Sequence, residues 1–266
     1  MKWQVITTRE ILQFRGLFIF GKIFDTFRTN ESTMSDFANG LFADVEGRPK
    51  NLHFVLLKWK LYRSMINKKI MHLSDRFNDA LVFAANLHSR QKRKGTQIPY
   101  LSHLLGVASI ALEYGATEDE AIAALLHDAV EDQGGAETQR QIKEKFGKEI
   151  ERIVVECSDT DKVPKPPWKE RKTAYIRHLL NQRTSPSARL VSAADKLHNA
   201  RAIAKDYRGI GEQLWKRFNA SKDETLWYYR ALVQAFRKTL KNPVVDELDR
   251  VVTEIELLAS AKSRHK

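Results

Sequence analysis

Apolar residues recur at helical spacing from Ser74 onward. Phe77, Leu81 and Ala84 follow one another at intervals of four and three residues, which places them on one face of a helix that Ser74 caps. Further helix starts are predicted at capping residues or prolines, namely Pro99, Thr117, Pro167, Ser185, Ser221 and Pro243. Since no convincing alternating run indicates a strand, the pattern predicts an all-α bundle of about eight to ten helices.

The helix that Thr117 opens is predicted to run without interruption through the segment AIAALLHDAVED and to end at Gly134 and Gly135. Two shorter helices are predicted next, around Gln139–Phe146 and Glu149–Cys157. The stretch SDTDKVPKPPW contains three prolines and is predicted to be a loop.

Residues 1–72 differ in composition from the rest of the chain. They carry 12 Lys and Arg against 6 Asp and Glu, and so supply half of the net charge of +12. They contain no motif that indicates chemistry. The chain is therefore predicted to divide into a basic N-terminal extension, residues 1–72, and a domain, residues 73–266. Three interpretations of the extension are open: a flexible arm, a pair of helices that binds a partner, or translation from a start codon placed too far upstream.

The net positive charge narrows the class of partner. A basic excess attracts polyanions, which include nucleotides, nucleic acids and anionic membranes. No run of about 18 apolar residues is present, so no membrane-spanning helix is predicted. The single cysteine, Cys157, is predicted to be a buried packing residue, and one cysteine suits a reducing compartment, in agreement with a cytoplasmic location.

Four ionisable residues lie within six positions of an otherwise apolar segment: His127, Asp128, Glu131 and Asp132. Burying such groups without a partner is costly, and a divalent cation is the natural partner. On one continuous helix, His127 and Asp128 would bind the metal, while Glu131 and Asp132 would face bound water one turn further along. The alternative is an exposed helix end whose acids are merely solvated, which the apolar preceding turn argues against.

His103 and Asp195 are candidates to complete this set. Taken alone, His103 has the features of a hydrogen-bonded core histidine and Asp195 those of a salt-bridge partner. Together with the HD pair they form a set of two histidines and two aspartates, which suits Mn²⁺, Fe²⁺ or a similar ion. Asn199 lies four residues after Asp195 and therefore shares its helix face.

The basic loop RQKRKGTQIP offers groups that recognise phosphate. Arg93 supplies a bidentate fork and Lys94 a point charge, while Gly95 would let the loop backbone approach a phosphate. The alternatives are a solvated basic loop or a nucleic-acid patch. Lys169, Arg171 and Lys172 are interpreted either as further phosphate contacts or as a solvated helix face.

The order of these motifs resembles the HD phosphohydrolases, in which a histidine, an HD pair and an aspartate follow one another along the chain. The segments RKGTQIPYLSH, HDAVED and ADKLHNAR are similar to the hydrolase domains of RelA/SpoT-type alarmone enzymes and their small stand-alone relatives, over roughly residues 74–240. This resemblance implies an HD-domain helical bundle. It also implies hydrolysis of the 3′-pyrophosphate of guanosine 3′,5′-bis(diphosphate), giving GDP and pyrophosphate.

The resemblance implies a role for each matching residue. One Mn²⁺ would be bound by His103, His127, Asp128 and Asp195. The attacking water and proton transfer would be handled by Glu131 and Asp132. Arg93 and Lys94 would grip the pyrophosphate, and Asn199 would lie near the nucleotide. The expected partner is a guanine nucleotide rather than a nucleic acid, and no oligomeric state is predicted.

Two other functions are open from the sequence. One is another HD-type nucleotide phosphohydrolase or phosphodiesterase, which the RKG loop and the ED pair argue against. The other is an inactive module that senses alarmone, which the complete set of site residues argues against.

Several further residues are expected to have structural roles only. His88 is expected to be packed and hydrogen-bonded. His198 follows Asp195 by three residues and could orient it, but a surface position is favoured. Trp227, Tyr228 and Tyr229 are expected in the core.

Overall fold

The computed structural model describes residues 72–159 and 164–261. The predicted N-terminal extension, residues 1–72, lies outside the described residues except for its last one. The helices of the described residues are α1 (Asp75–Leu87), α2 (Leu101–Glu113), α3 (Glu118–Leu126), α4 (Ala129–Asp132), α5 (Gly135–Phe146), α6 (Lys148–Cys157), α7 (Trp168–Leu180), α8 (Pro186–Ile210), the 3₁₀ helix η1 (Gly211–Arg217), α9 (Lys222–Thr239) and α10 (Val244–Ala261). Since these residues contain no strand beyond a single bridge between Lys92 and Pro99, the all-α prediction is confirmed.

Four of the predicted helix starts, those at serine or threonine, are built as the capping rules require. The Ser74 side chain accepts a hydrogen bond from the backbone of Arg76, and Ser185 does the same for Ala188. Thr117 forms a complete capping box at the start of α3, and Ser221 forms another at the start of α9. Short-range sequence signals therefore set where these helices begin.

One helix of the sequence prediction is wrong, because the segment AIAALLHDAVED is not continuous. It is divided into α3 and α4 by a turn at His127 and Asp128. The Nδ1 atom of His127 lies 2.9 Å from the carbonyl oxygen of Ala124, the acceptor that a continuous helix would offer to the N–H of Asp128. The imidazole thus competes with the helical hydrogen bond at the point where the helix stops.

Two smaller differences also follow from local backbone geometry. The helix predicted around Gln139–Phe146 begins four residues earlier, after Gly134, whose φ of 103° lies in the left-handed region that glycine tolerates. The 3₁₀ helix η1 was not predicted; it follows α8 directly, at Gly211.

Helix α8 lies at the centre of the domain and packs against α2, α3, α6, α9, α10 and η1. Every residue from Ala188 to Asp195 is buried, so this part of the helix has no solvent-facing side. Any polar side chain on a helix that is enclosed on all sides needs a hydrogen-bond or ion-pair partner within the protein. Asp195 and Lys196 are such side chains. None of the helices in the described part of the chain has both the length and the apolar character that a membrane crossing requires.

Arg189, on the enclosed part of α8, closes the end of α7. It is buried, and its guanidinium donates to the backbone carbonyls of Leu179 at 3.1 Å and Asn181 at 2.7 Å. These are carbonyls that the end of a helix leaves without an intrahelical partner. We expect Arg189→Met to lower the free energy of unfolding by about 1–3 kcal/mol, because it leaves buried acceptors unsatisfied.

Urea unfolding followed by circular dichroism measures this difference. The matched control is Arg140→Met, since Arg140 forms only exposed ion pairs with Glu137 and Glu144 and should leave the unfolding midpoint unchanged. Equal stabilities of the two variants would contradict the capping role of Arg189.

Candidate metal centre and adjoining cleft

Four side chains from three parts of the fold converge on one point. His103 comes from the first turn of α2, His127 and Asp128 from the turn between α3 and α4, and Asp195 from the middle of α8. Ligand atoms of His103, His127 and Asp195 all lie within 4.8 Å of one another. The Oδ2 atom of Asp128 lies 2.9 Å from Nε2 of His127 and 3.7 Å from Nε2 of His103. The structure therefore brings together all four residues that the sequence identified as candidate ligands.

The two imidazoles present lone pairs to this point. Nδ1 of His127 must carry the proton that bonds to the Ala124 carbonyl, so in the neutral ring Nε2 is a bare acceptor. Nδ1 of His103 lies 2.9 Å from Nδ1 of His198, which leaves Nε2 of His103 to face the carboxylates. Both Nε2 atoms are fully buried, and in this tautomer neither has a hydrogen-bond donor among the described residues, because the groups that face them are carboxylates. Buried nitrogens of this kind fit a bound cation.

The electrostatics of the cluster also favour a cation. Burial opposes a charge on His127, but the carboxylates of Asp128 and Asp195 raise the pKa of its imidazole well above the usual range. Burial would likewise raise the pKa of Asp195, yet the Lys196 ammonium and the two imidazoles hold it well below the usual range. Asp195 therefore stays ionised. Two histidine nitrogens with two carboxylates suit a divalent metal of the borderline-hard class.

Two supporting residues lie against the candidate ligands, and sequence reasoning assigned no role to either. The hydroxyl of Tyr100 donates to Oδ2 of Asp128 at 2.5 Å, and Nζ of Lys196 donates to Oδ2 of Asp195 at 2.6 Å. Tyr100 precedes His103 by three residues, so its helical spacing was the signal that could have identified it. Nothing in the sequence indicated a supporting role for Lys196, because only the packing around α8 shows that its ammonium group is enclosed.

Both of the remaining histidines near the site are packed. His88 is buried, its Nδ1 bonds to Gln91 at 2.5 Å and its ring stacks on Tyr100, so the sequence prediction for it is confirmed. His198 is half-buried against α2, whereas a surface position was expected. Burial, His103 and Arg93 lower the pKa of His198 to about 4.

The basic loop between α1 and α2 forms a tight hairpin beside the cluster. Backbone hydrogen bonds close it between Arg93 and Ile98, and Gly95 at its tip has a φ of 71°. A Cβ on Gly95 would lie 2.8 Å from Cδ of Arg217, so this glycine also permits close packing of the hairpin on η1. Nζ of Lys94 bonds to Asn219 at 2.5 Å.

Asn199 joins this hairpin to the candidate ligands. Its amide nitrogen donates to Oδ1 of Asp195, and its carbonyl oxygen accepts from the Arg93 guanidinium at 2.9 Å. The three predicted substrate-binding residues, Arg93, Lys94 and Asn199, therefore share one side of the site.

Glu131 and Asp132 have different surroundings. Asp132 accepts from Gln91 at 2.8 Å, and partial desolvation together with the carboxylate of Asp128 raises the pKa of Asp132, although the residue as a whole is exposed. The carboxylate of Glu131 accepts from the backbone of Asp159 at 3.1 Å and from Nζ of Lys165 at 2.8 Å. In this arrangement Glu131 holds the segment that leads into α7.

A cleft of about 430 Å³ adjoins the cluster. It is lined by seven basic side chains: Arg93, Lys94, Arg171, Lys172, Lys196, Lys205 and Arg217. It is also lined by five aromatic side chains: Tyr100, Trp168, Phe218, Tyr228 and Tyr229. A volume of this size with cations and aromatic rings on its walls suits a nucleotide that carries several phosphate groups.

Three of the lining residues contact the candidate ligands directly, so the cleft adjoins the cluster, although no candidate ligand itself lines the cleft. They are Tyr100, which bonds to Asp128, and Lys196 and Asn199, which bond to Asp195. A phosphate group held in the cleft would therefore lie next to the cluster.

Two groups of residues near the cleft were left open or misplaced by the sequence. Asp159 binds both Arg171 and Lys172, which holds these two cations on the wall rather than on a solvated helix face. Of the three aromatic residues expected in the core, Tyr228 and Tyr229 are buried, whereas Trp227 is 37% exposed and lies under Nζ of Lys169.

Comparison with known proteins agrees with this geometry. The family model of the HD domain matches residues 80–224, which include every candidate ligand. The guanosine-3′,5′-bis(diphosphate) 3′-pyrophosphohydrolase MESH1 of Xenopus tropicalis is 40% identical over 130 residues, which cover 48% of this chain and 69% of that protein. Human MESH1 is 38% identical over 128 residues, which cover 47% of this chain and 68% of that protein.

A solved structure has a similar fold. It is that of a metazoan ortholog of SpoT that hydrolyses ppGpp and plays a role in starvation responses. It superposes with a TM-score of 0.57 at 27% sequence identity, over 69% of this chain and 97% of that structure. Because the family model spans more than half of the sequence and the MESH1 relatives are matched over two thirds of their length, the chain belongs to the HD domain family, in the branch that contains the MESH1 3′-pyrophosphohydrolases.

Proposed function

We propose that this protein hydrolyses guanosine 3′,5′-bis(diphosphate) at the 3′ position, producing GDP and pyrophosphate. The observation that carries the proposal is that a basic, aromatic-lined cleft and a cluster of two histidines and two aspartates are linked by Tyr100, Lys196 and Asn199, which line the cleft and bond to the aspartates. The MESH1 relatives bear the name of this activity, and they share the domain that contains both features.

In the reaction, water attacks the phosphorus that is bonded to the 3′ oxygen. The bond between that phosphorus and the 3′ oxygen breaks, and the 3′ oxygen receives a proton. A divalent ion, which we propose to be Mn²⁺, would be held by His103, His127, Asp128 and Asp195 and would acidify the attacking water and neutralise phosphate charge. The hydrogen bonds from Tyr100 to Asp128 and from Lys196 to Asp195 keep these carboxylates oriented.

The substrate carries two diphosphate groups, and the cleft offers cations on more than one side. Arg93 and Lys94 lie on the hairpin that Asn199 ties to Asp195, so they are placed to grip the pyrophosphate that leaves. Arg171 and Lys172 lie on α7 and provide further positive charge. The aromatic side chains give the guanine ring an apolar surface to contact.

Glu131 and Asp132 are the proposed proton-handling pair. A raised pKa makes the carboxylate of Asp132 a better proton acceptor than an ordinary aspartate. Glu131 in addition anchors the segment before α7 through Asp159 and Lys165. Its effect on the rate therefore has two components that an experiment must separate.

The division of the chain at residues 72 and 73 and the cytoplasmic location stay predictions from the sequence.

The activity is tested by incubating the full chain with guanosine 3′,5′-bis(diphosphate) and Mn²⁺ and separating the products by anion-exchange chromatography. We expect GDP and pyrophosphate in equal amounts. Asp195→Ala should abolish turnover and most metal binding, because the three remaining ligands leave a poorer site. The control Asp223→Ala removes an exposed carboxylate from the first turn of α9 and should retain both. Full turnover by Asp195→Ala, or failure of the wild type to release pyrophosphate, would refute the proposal.

For the acidic pair, we expect Asp132→Asn and Glu131→Gln to lower kcat by roughly 10²–10⁴-fold with the metal still bound, since general acid–base assistance contributes about this much. Lys165→Met removes one of the two contacts that hold the Glu131 carboxylate, the ion pair with Lys165, and leaves the carboxylate and its hydrogen bond from the backbone of Asp159 in place. If Lys165→Met loses as much activity as Glu131→Gln, then Glu131 acts by holding the loop. Loss of metal from Glu131→Gln would instead make Glu131 a ligand.

For substrate grip, we expect Arg93→Gln to raise KM and to lower kcat only as far as the contact tightens in the transition state. The dependence of KM on salt should also weaken, because one phosphate contact has been removed. Arg90→Gln is the matched control, since Arg90 is an exposed arginine of the same loop that does not line the cleft. Similar KM values for the two variants would show that Arg93 does not contact substrate.

A further inference from the structure

The two histidines of the candidate metal centre are oriented by different partners. The ring of His127 is fixed by a backbone carbonyl, that of Ala124. The ring of His103 has no backbone partner; its Nδ1 lies 2.9 Å from Nδ1 of a second histidine, His198, and the two ring centres are 4.8 Å apart. A histidine that binds a metal through one nitrogen usually donates its other N–H to an acceptor, which fixes both the tautomer and the ring plane.

We propose that His198 is the positioning residue for His103: its Nδ1 accepts the Nδ1–H of His103 and so directs the Nε2 lone pair of His103 into the metal centre. This inference rests on the metal centre of the proposed function. A neutral acceptor suits this site, because Asp128 and Asp195 already provide two carboxylates within 4 Å of Nε2 of His103. A third carboxylate would have added negative charge in a buried place.

The packing of α2 on α8 is built to allow this contact. His103 and Gly106 are one turn apart on α2, and Asp195 and His198 are one turn apart on α8. A Cβ on Gly106 would lie 2.3 Å from Cδ2 and Nε2 of His198, far inside contact distance. Only glycine at position 106 leaves room for the ring. The stretch of α8 that crosses α2 therefore carries both the candidate ligand Asp195 and His198, the residue that orients the candidate ligand His103.

The proposal is tested by titrating Mn²⁺ into the metal-free full-length protein, by calorimetry or by electron paramagnetic resonance of free Mn²⁺. We expect His198→Leu to weaken Mn²⁺ binding by roughly 10–100-fold, the range found when the partner of a ligating histidine is removed. His198→Asn should restore binding to within about threefold of the wild type, because the amide oxygen can accept from the same Nδ1–H. Wild-type affinity in His198→Leu would overturn the proposal, and so would equal losses in the leucine and asparagine variants.

Gly106→Ala tests the same contact without changing either ring. The added methyl group should push His198 away from His103 and weaken Mn²⁺ binding to a similar extent, while the higher helix propensity of alanine maintains α2. Gly209→Ala on α8 is the matched control, since a Cβ there meets no atom within 4 Å, and its Mn²⁺ affinity should equal that of the wild type. Unchanged binding in Gly106→Ala would contradict the proposal.

These outcomes separate the inference from the proposed function. If the wild type binds Mn²⁺ and both His198→Leu and Gly106→Ala bind it equally well, only the role of His198 is refuted. If the wild type does not bind Mn²⁺ at the cluster at all, the metal centre and this role fall together.

Discussion

The constraint on which the structure depends is a carboxylate buried in the middle of its most enclosed helix. Asp195 lies on α8 where the helix has neighbours on every side, and its side chain is only 8% exposed. A buried charge of this kind must be paired and hydrogen-bonded, or it would be protonated. Lys196, Asn199 and the two imidazoles of the cluster meet that requirement and keep Asp195 ionised. The surrounding helices are therefore arranged around a point of fixed negative charge.

That requirement links the metal cluster to the cleft. Lys196 and Asn199 satisfy Asp195 with one set of contacts and line the cleft with their remaining surface. Asn199 also receives the guanidinium of Arg93, which brings the basic hairpin to the edge of the cluster. The residues that belong to the cluster and those that line the cleft thus share the same short stretch of α8. A site of this design depends on the rigidity of α8, and its packing against six other elements supplies that rigidity.

The turn at His127 and Asp128 shows how local chemistry serves the site. In an unbroken helix the Ala124 carbonyl would accept from the N–H of Asp128 rather than from the imidazole of His127. The orientation of that ring would then be free. The break gives His127 a fixed tautomer and separates the surroundings of Glu131 from those of Asp132. The turn removes one helical hydrogen bond, which costs about 0.5–1.5 kcal/mol of stability. This cost is small compared with the metal affinity that depends on an oriented histidine ligand.

The sequence by itself determined the helical class, the helix starts and the identity of the candidate ligands. Caps and prolines act within four residues, so Ser74, Thr117 and Ser221 could be interpreted without any knowledge of the fold. His127 and Asp128 stood out because ionisable residues within an apolar segment demand a partner. His103 and Asp195 became candidates only in combination with this pair, through the resemblance to the HD phosphohydrolases.

The tertiary structure alone decided which side chains support those ligands and where the cleft lies. Tyr100 and His198 acquire their roles through contacts with residues that are distant in sequence, Asp128 and His103. Lys196 lies beside Asp195 on the same helix, but only the packing around α8 shows that their ion pair is enclosed. The break in the helix at His127 likewise depends on where its ring must point. Short-range hydrogen bonds form between residues that are close in sequence, so the sequence pattern predicts them. The enclosure of a charge depends on elements that lie far apart in sequence and meet only when the chain has folded.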